Sequence, residues 1–276
     1  MREVTRRLRG VPTSDGAGVR MTRVIGTPQL DSFDPFLLLD EFRSDDPNDY
    51  IAGFPDHPHR GFETVTYMLA GRMKHGDNQG NTGLLGPGSA QWMTAGRGIV
   101  HSEFPQQVEG LMWGFQLWVN LPARDKMTVP RYQDIQGDRI PETMLADGVR
   151  ARVIAGQLGG VTGAVTGVAT EPVYYDLHIE RGRSYSVPLP DEHNAFIYVY
   201  AGSAVAGAGS TPLQRGELAL LSHGEAVQVA AGAEDCRLIL VAGRPLNEPI
   251  ARYGPFVMNT SEEIYKAFED YRAGRL

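Results

Sequence analysis

The sequence has one cysteine, Cys236, and three lysines against 23 arginines in 276 residues. A single thiol cannot close an internal disulfide, so the fold must hold without covalent cross-links, and a reducing compartment is expected. Cys236 lies in "DCRLILVAG", where a thiol serves as a small core hydrophobe. No apolar run approaches the ~18 residues that span a bilayer. The stretch "MREVTRRLRGVPTSDG" has no hydrophobic signal-peptide core. These absences lead to the expectation of a soluble, cytoplasmic protein with no membrane partner. Clustered basic charge is also scarce: the net charge is −7, and "RRLRG" at 6–10 is the one dense basic run. Direct binding to nucleic-acid phosphates is therefore not expected.

Helix signals are few. Glycine (33) and proline (18) interrupt the chain every several residues, with short alternating or apolar runs between them. Examples are "ETVTYMLAG" (63–71), "LMWGFQLWVNL" (111–121), "ARVIAGQ" (151–157), "VYYDLHIE" (173–180), "NAFIYVYAG" (194–202), "ELALLS" (217–222) and "CRLILVAG" (236–243). Many short strands separated by turn residues predict an all-β protein of sandwiches or barrels. The end of the chain departs from this. "TSEEIYKAFEDYRAGRL" opens with a Thr/Ser cap and early glutamates, and Ile264, Tyr265, Phe268 and Tyr271 recur at helical spacing, which predicts a helix over 260–273.

An internal repeat sets the domain count. "TVTYMLAGRM" (64–73) resembles "FIYVYAGSAV" (196–205), and "LLGPGSAQWM" (84–93) resembles "TPLQRGELALL" (211–221). Two β-barrels of similar plan, offset by about 130 residues, account for both matches. The polar stretch "RYQDIQGDRIPE" (131–142) is where they divide, giving domains 1–134 and 135–276, the second carrying the terminal helix.

The chemistry concentrates in "PDHPHRGFETVTY" (55–67). Residues i and i+2 of a strand share a face, so His57 and His59 aim their imidazoles into one space. "GRGIVHSEFP" repeats the arrangement with His101 and Glu103. Two chelating pairs on different strands of one barrel supply three imidazoles and a carboxylate to one divalent cation, leaving positions for water or substrate. Parity alone leaves the carboxylate open, because Glu63 has the same phase as the first pair. His75, in the turn-rich "GRMKHGDNQGN", is expected to be exposed. Gln116, the odd polar residue of "MWGFQLWVN", is a candidate for the cavity wall, since a buried amide needs partners. At an offset of 131 residues His57 and His59 fall on Pro188 and Pro190, and at 128 His101 and Glu103 fall on Val229 and Ala231. The second barrel therefore lacks the ligand set and is expected to serve as scaffold.

An HxH pair followed by a strand, a Pro-Gly turn and a later histidine resembles the cupin barrel. The wording "HPHRGFETVTYMLAG", "MTAGRGIVHSE", "DPFLLLDEF" and "YGPFVMNT" resembles the pirin family specifically, over most of the chain and most strongly from 34 to 120. That resemblance implies two cupin domains in tandem, with one metal, usually iron, in the N-terminal barrel. It implies His57, His59, His101 and Glu103 as ligands, Fe(II) being the expected metal of a site that Mn, Co, Ni, Cu or Zn also suit. Glu63 and Arg60 are then assigned to the surroundings, Glu63 holding a ligand imidazole or Arg60. The activity implied is a quercetin 2,3-dioxygenase reaction on a flavonol-like aromatic substrate and O2, with Glu103 as general base and release of carbon monoxide. The alternative implied is a metal- or redox-responsive regulatory protein that binds transcription or metabolic partners. A monomer is expected in either case.

Overall fold

The structure, a computed structural model, describes residues 1–276, and it is mostly β with a single α-helix, Ser261–Arg272. Each segment read as a strand forms one: Phe62–Ala70, Met112–Asn120, Val149–Ala155, Val173–Ile179, Asn194–Ala201, Glu217–Leu221 and Cys236–Gly243. The basic run at 6–10 is absorbed by a further strand, Val4–Arg9, paired antiparallel with Glu217–Leu221. The repeated Ala-Gly ending has a backbone cause. Gly71 (φ 83°) and Gly202 (φ 68°) both turn the chain out of a strand in the left-handed region, where a side chain is strained.

The chain forms two compact units. One comprises residues 11–32, 36–138 and 246–276; the other comprises 1–10, 33–35 and 139–245. The division at 138/139 is thus accompanied by an exchange of ends. The first ten residues pack with the C-terminal barrel, while the terminal segment and its helix pack with the N-terminal one. Strand 4–9 finds its backbone partners at 217–221, while the terminal segment is tied to the N-terminal barrel by the Arg60–Asp270 pair and by Lys126 Nζ, which donates to the Val257 carbonyl.

The repeat is confirmed strand by strand. Each barrel has a seven-stranded and a four-stranded antiparallel sheet. In the N-terminal barrel strand 62–70 lies between 90–94 and 112–120; in the C-terminal barrel 194–201 lies between 217–221 and 236–243. The small sheets correspond in full: 54–59, 99–105, 73–77 and 82–85 in one, and 184–188, 226–231, 203–206 and 211–214 in the other. The two interiors differ. Val187, Val227, Val229 and Ala231 pack into the aliphatic core of the C-terminal barrel, Cys236 among them. The corresponding strands of the N-terminal barrel carry histidines.

The helix begins with a reciprocal cap: Glu263 N–H donates to Thr260 Oγ1, and Thr260 N–H donates to Glu263 Oε2. It buries Ile264 and Ala267 against Phe256 and Met258, with Phe268 partly covered. Of the predicted spacing, Ile264 and Phe268 join Ala267 on the inward stripe, while Tyr265, 73% exposed, and Tyr271 stay outside it.

Candidate metal centre

His57 and His59 lie on strand Phe54–His59, His101 and Glu103 on Ile99–Pro105, and these strands pair antiparallel with His101 opposite His57. Alternation turns the three imidazoles to one side, and the pairing brings them together. Ring centroids are 4.4 Å apart for His57–His101, 4.7 Å for His57–His59 and 5.0 Å for His59–His101. One ring nitrogen of each falls within 4.8 Å of those of the other two.

The protonation chemistry favours three lone pairs. His59 and His101 are buried, and burial, reinforced by the neighbouring imidazoles, holds both well below the ordinary histidine range. They are neutral at pH 7. His57 Nδ1 lies 2.8 Å from the Pro55 carbonyl oxygen, to which it donates, leaving Nε2 as the acceptor. Neither ring nitrogen of His101 has a hydrogen-bond partner, nor has His59 Nδ1. Buried polar atoms are nearly always satisfied, so this cluster of orphaned nitrogens fits a cation.

Glu103 is buried beside this cluster, and its register slips by one residue, placing it opposite Phe54. Its carboxylate stands outside the three-nitrogen group but lines the same cavity. Burial pushes its carboxyl above the usual range. Thr66 Oγ1 lies 2.7 Å from Gln116 Oε1 and 3.3 Å from Glu103 Oε1, and its one proton serves one of these acceptors at a time. Gln116 thus faces the cavity, coupled to Glu103 through Thr66.

Two expected neighbours are engaged elsewhere. Glu63 is buried, but its Oε1 accepts from Thr94 Oγ1 at 2.6 Å, so it holds neither an imidazole nor Arg60. Burial raises its carboxyl as well. Arg60 donates to the Arg97 carbonyl and pairs with Asp270 of the C-terminal helix. His75 corrects the expectation of an exposed turn residue. It is 2% exposed, stands opposite Glu103 in the sheet, and lies 3.0 Å from Asp134 Oδ2 with its ring stacked on Tyr132. The turn residues that suggested exposure flank a short strand, Met73–Asp77, whose alternate side chains are covered.

His57 and His59 open into a cavity of about 600 Å³ within the N-terminal barrel. Met21, Leu38, Phe42, Met73 and Trp118 make its apolar walls. Its polar wall was not read from the sequence. Arg23 grips both oxygens of Asp40 at 2.9 and 2.8 Å, and Arg252 enters from strand Ala251–Tyr253. Asp40 gave a readable signal, a carboxylate inside the apolar run "FLLLDEF". Arg252 gave none, because nothing local places residue 252 beside residue 118.

Comparison with known proteins agrees with this architecture. A family model described as Pirin matches residues 18–119, and one described as the pirin C-terminal cupin domain matches 174–276. A Pseudomonas aeruginosa protein, provisionally named a quercetin 2,3-dioxygenase, is 54% identical over 274 residues, covering 97% of this chain and 95% of its own. A pirin-like protein of Caulobacter vibrioides is 49% identical, covering 100% of this chain and 99% of its own. The crystal structure of a quercetin 2,3-dioxygenase from Acinetobacter baumannii superposes with a TM-score of 0.92 at 35% identity, covering 100% of this chain and 98% of that one. With family matches in both barrels and relatives spanning its length, the chain belongs to the pirin family of two-cupin proteins.

Proposed function

We propose that the N-terminal barrel holds one divalent metal through His57, His59, His101 and Glu103, and that it opens a flavonol such as quercetin with O2, releasing carbon monoxide. The C-terminal barrel is the metal-free scaffold. The observation that carries this reading is the set of three mutually adjacent imidazoles beside a partly apolar cavity, with ring nitrogens of His59 and His101 left without partners. The names of the Pseudomonas and Acinetobacter relatives support the reaction class. Iron is the metal expected from the family resemblance.

A cation at this site supplies Lewis acidity that favours the deprotonated flavonol hydroxyl. The protein groups do the rest. Glu103, raised by burial, takes up the proton of that hydroxyl. Thr66 Oγ1 orients Glu103 when its own proton is turned to that carboxylate, with Gln116 competing for the same proton. Trp118, packed at 4.4 Å against Phe62 and edge-on to His59 at 5.3 Å, presents a rigid apolar wall beside the histidines. The apolar lining excludes bulk water from the ring being opened.

The test is anaerobic. Quercetin added to metal-loaded protein should shift its absorption to the red before oxygen is admitted, and admission of oxygen should consume one equivalent and release carbon monoxide. If neither a shift nor oxygen uptake occurs with any flavonol or catechol, the reading as an enzyme fails and the regulatory alternative takes its place.

A further inference from the structure

The cavity of the metal centre contains two guanidinium groups in different states. Arg23 is neutralised by Asp40 in a two-point pair, and its Nη2 also reaches Asp15 at 3.1 Å. Arg252 takes part in no such pair. Its Nη1 donates to the Leu37 carbonyl at 3.0 Å, and its guanidinium lies over the Trp118 ring at 5.0 Å from the centroid. A carbonyl and an aromatic face stabilise a cation but do not neutralise it. The other carboxylates that line this space are occupied or distant in kind: Asp15 and Asp40 serve Arg23, Asp56 is exposed, and Glu103 stands beside the histidines. Burial lowers Arg252 from its ordinary range, outweighing the pull of the exposed Asp31 and of Asp40, neither of which forms an ion pair with it. An arginine keeps its proton regardless, so the positive charge persists.

The position of this charge is as informative as its existence. Trp118 touches His59 through one ring contact, at 5.3 Å, and Arg252 through another, at 5.0 Å. The indole therefore bridges the imidazole cluster and the guanidinium. A flat molecule held by one end at the histidines and lying along Trp118 brings its far end to Arg252.

We propose that Arg252 is an anion-recognising specificity residue, and that the substrate class is a planar aromatic enol carrying a carboxylate at the end remote from the reacting oxygen. The proposal rests on the flavonol-type reading of the centre and narrows it. An uncharged flavonol fills the apolar part of the cavity but leaves Arg252 unmatched. A carboxylate there gains charge-assisted hydrogen bonds in fork geometry from the guanidinium N–H donors that the Leu37 carbonyl does not use.

The experiment uses the full chain loaded with zinc(II), which has no redox chemistry and so permits binding without turnover. The probes are 3-hydroxyflavone and its 4′-carboxylate, titrated separately, with the absorption shift on coordination as the readout. The wild type should bind the carboxylate about tenfold more tightly than the parent, an advantage that shrinks with added salt. Arg252→Gln should bring the ratio close to one, and Arg252→Lys should keep part of the preference. Equal binding of the two probes by the wild type overturns the proposal while leaving the flavonol reading intact, as does an unchanged ratio in Arg252→Gln. Failure of both probes to bind zinc-loaded protein removes the flavonol reading and this proposal together. If Arg252→Gln does not fold, the wild-type ratio and its salt dependence still decide the matter.

Discussion

Arg60 Nη1 lies 2.9 Å from Asp270 Oδ2, so the residue that follows the histidine-bearing strand is fastened to the C-terminal helix. Asp270 also receives Lys266 and Arg275, and these three cations, Lys266 foremost, hold its carboxyl well below the usual range. Removing one partner of a buried pair strands the other, at a cost of ~3–5 kcal/mol. Asp270→Asn should therefore lower the thermal midpoint sharply at neutral pH. The sign of the pH dependence follows from the depressed value. The stabilisation is complete above the unfolded carboxylate's pKa of about 4 and is lost as pH falls toward the folded one. Melting curves of wild type and variant should converge on acidification below pH ~4. A gap that stays constant from neutral pH into acid would show that the charge of Asp270 is not what matters.

His101 is wholly buried and carries two unpartnered ring nitrogens. His101→Ala should abolish most metal binding while leaving the β-type circular dichroism in place, because each barrel has its own core. Elemental analysis of wild type should give about one metal per chain. Two metals per chain, or full occupancy in the variant, would refute the ligand set.

Glu103 and Glu63 are both buried carboxylates, and only Glu103 lines the cavity. Glu103→Gln should cost more metal affinity than Glu63→Gln, where loss of the Thr94 hydrogen bond should have an effect of at most ~10–100-fold. Competition with a chelator measures both. The reverse order would make Glu63 the ligand.

Gly61 offers a matched comparison with Gly80. Both have φ of 88°, but a Cβ at Gly61 would meet the Val257 carbonyl oxygen at 1.9 Å, whereas one at Gly80 would meet nothing within 4 Å. Gly80→Ala should show the conformational strain alone, ~1–2 kcal/mol. Gly61→Ala should cost distinctly more, since it also displaces the carbonyl to which Lys126 Nζ donates at 3.0 Å. Equal losses in chemical denaturation would mean that the backbone at Val257 yields freely.

Local pattern was readable wherever local chemistry decides the outcome. Alternating and apolar runs marked strands of the two seven-stranded sheets, and the Thr260–Glu263 cap marked the helix. The HxH pair and the His101–Glu103 pair were legible because side-chain parity is a property of one strand. What parity cannot give is registry between strands. The slip between His101 and Glu103 leaves three imidazoles in the tight group with the carboxylate beside it. His75 was misread for a related reason: glycine and asparagine report the turns that bound a short strand, while burial is imposed by Asp134 and Tyr132 from a distant one. Arg252 and Trp118 meet across more than a hundred residues, and no local pattern encodes that meeting.

The histidines are made early and their cavity is finished late. Arg252, Gly254 and Pro255 line the space around residues 57, 59 and 103, yet they are synthesised after the whole of the C-terminal barrel. A nascent chain halted before residue 246 would present imidazoles without the wall that faces them and without the helix that anchors Arg60. Completion of the centre therefore waits for residues that follow the second barrel, and a truncation before residue 246 should disturb metal loading in a barrel whose ligands were all made more than a hundred residues earlier.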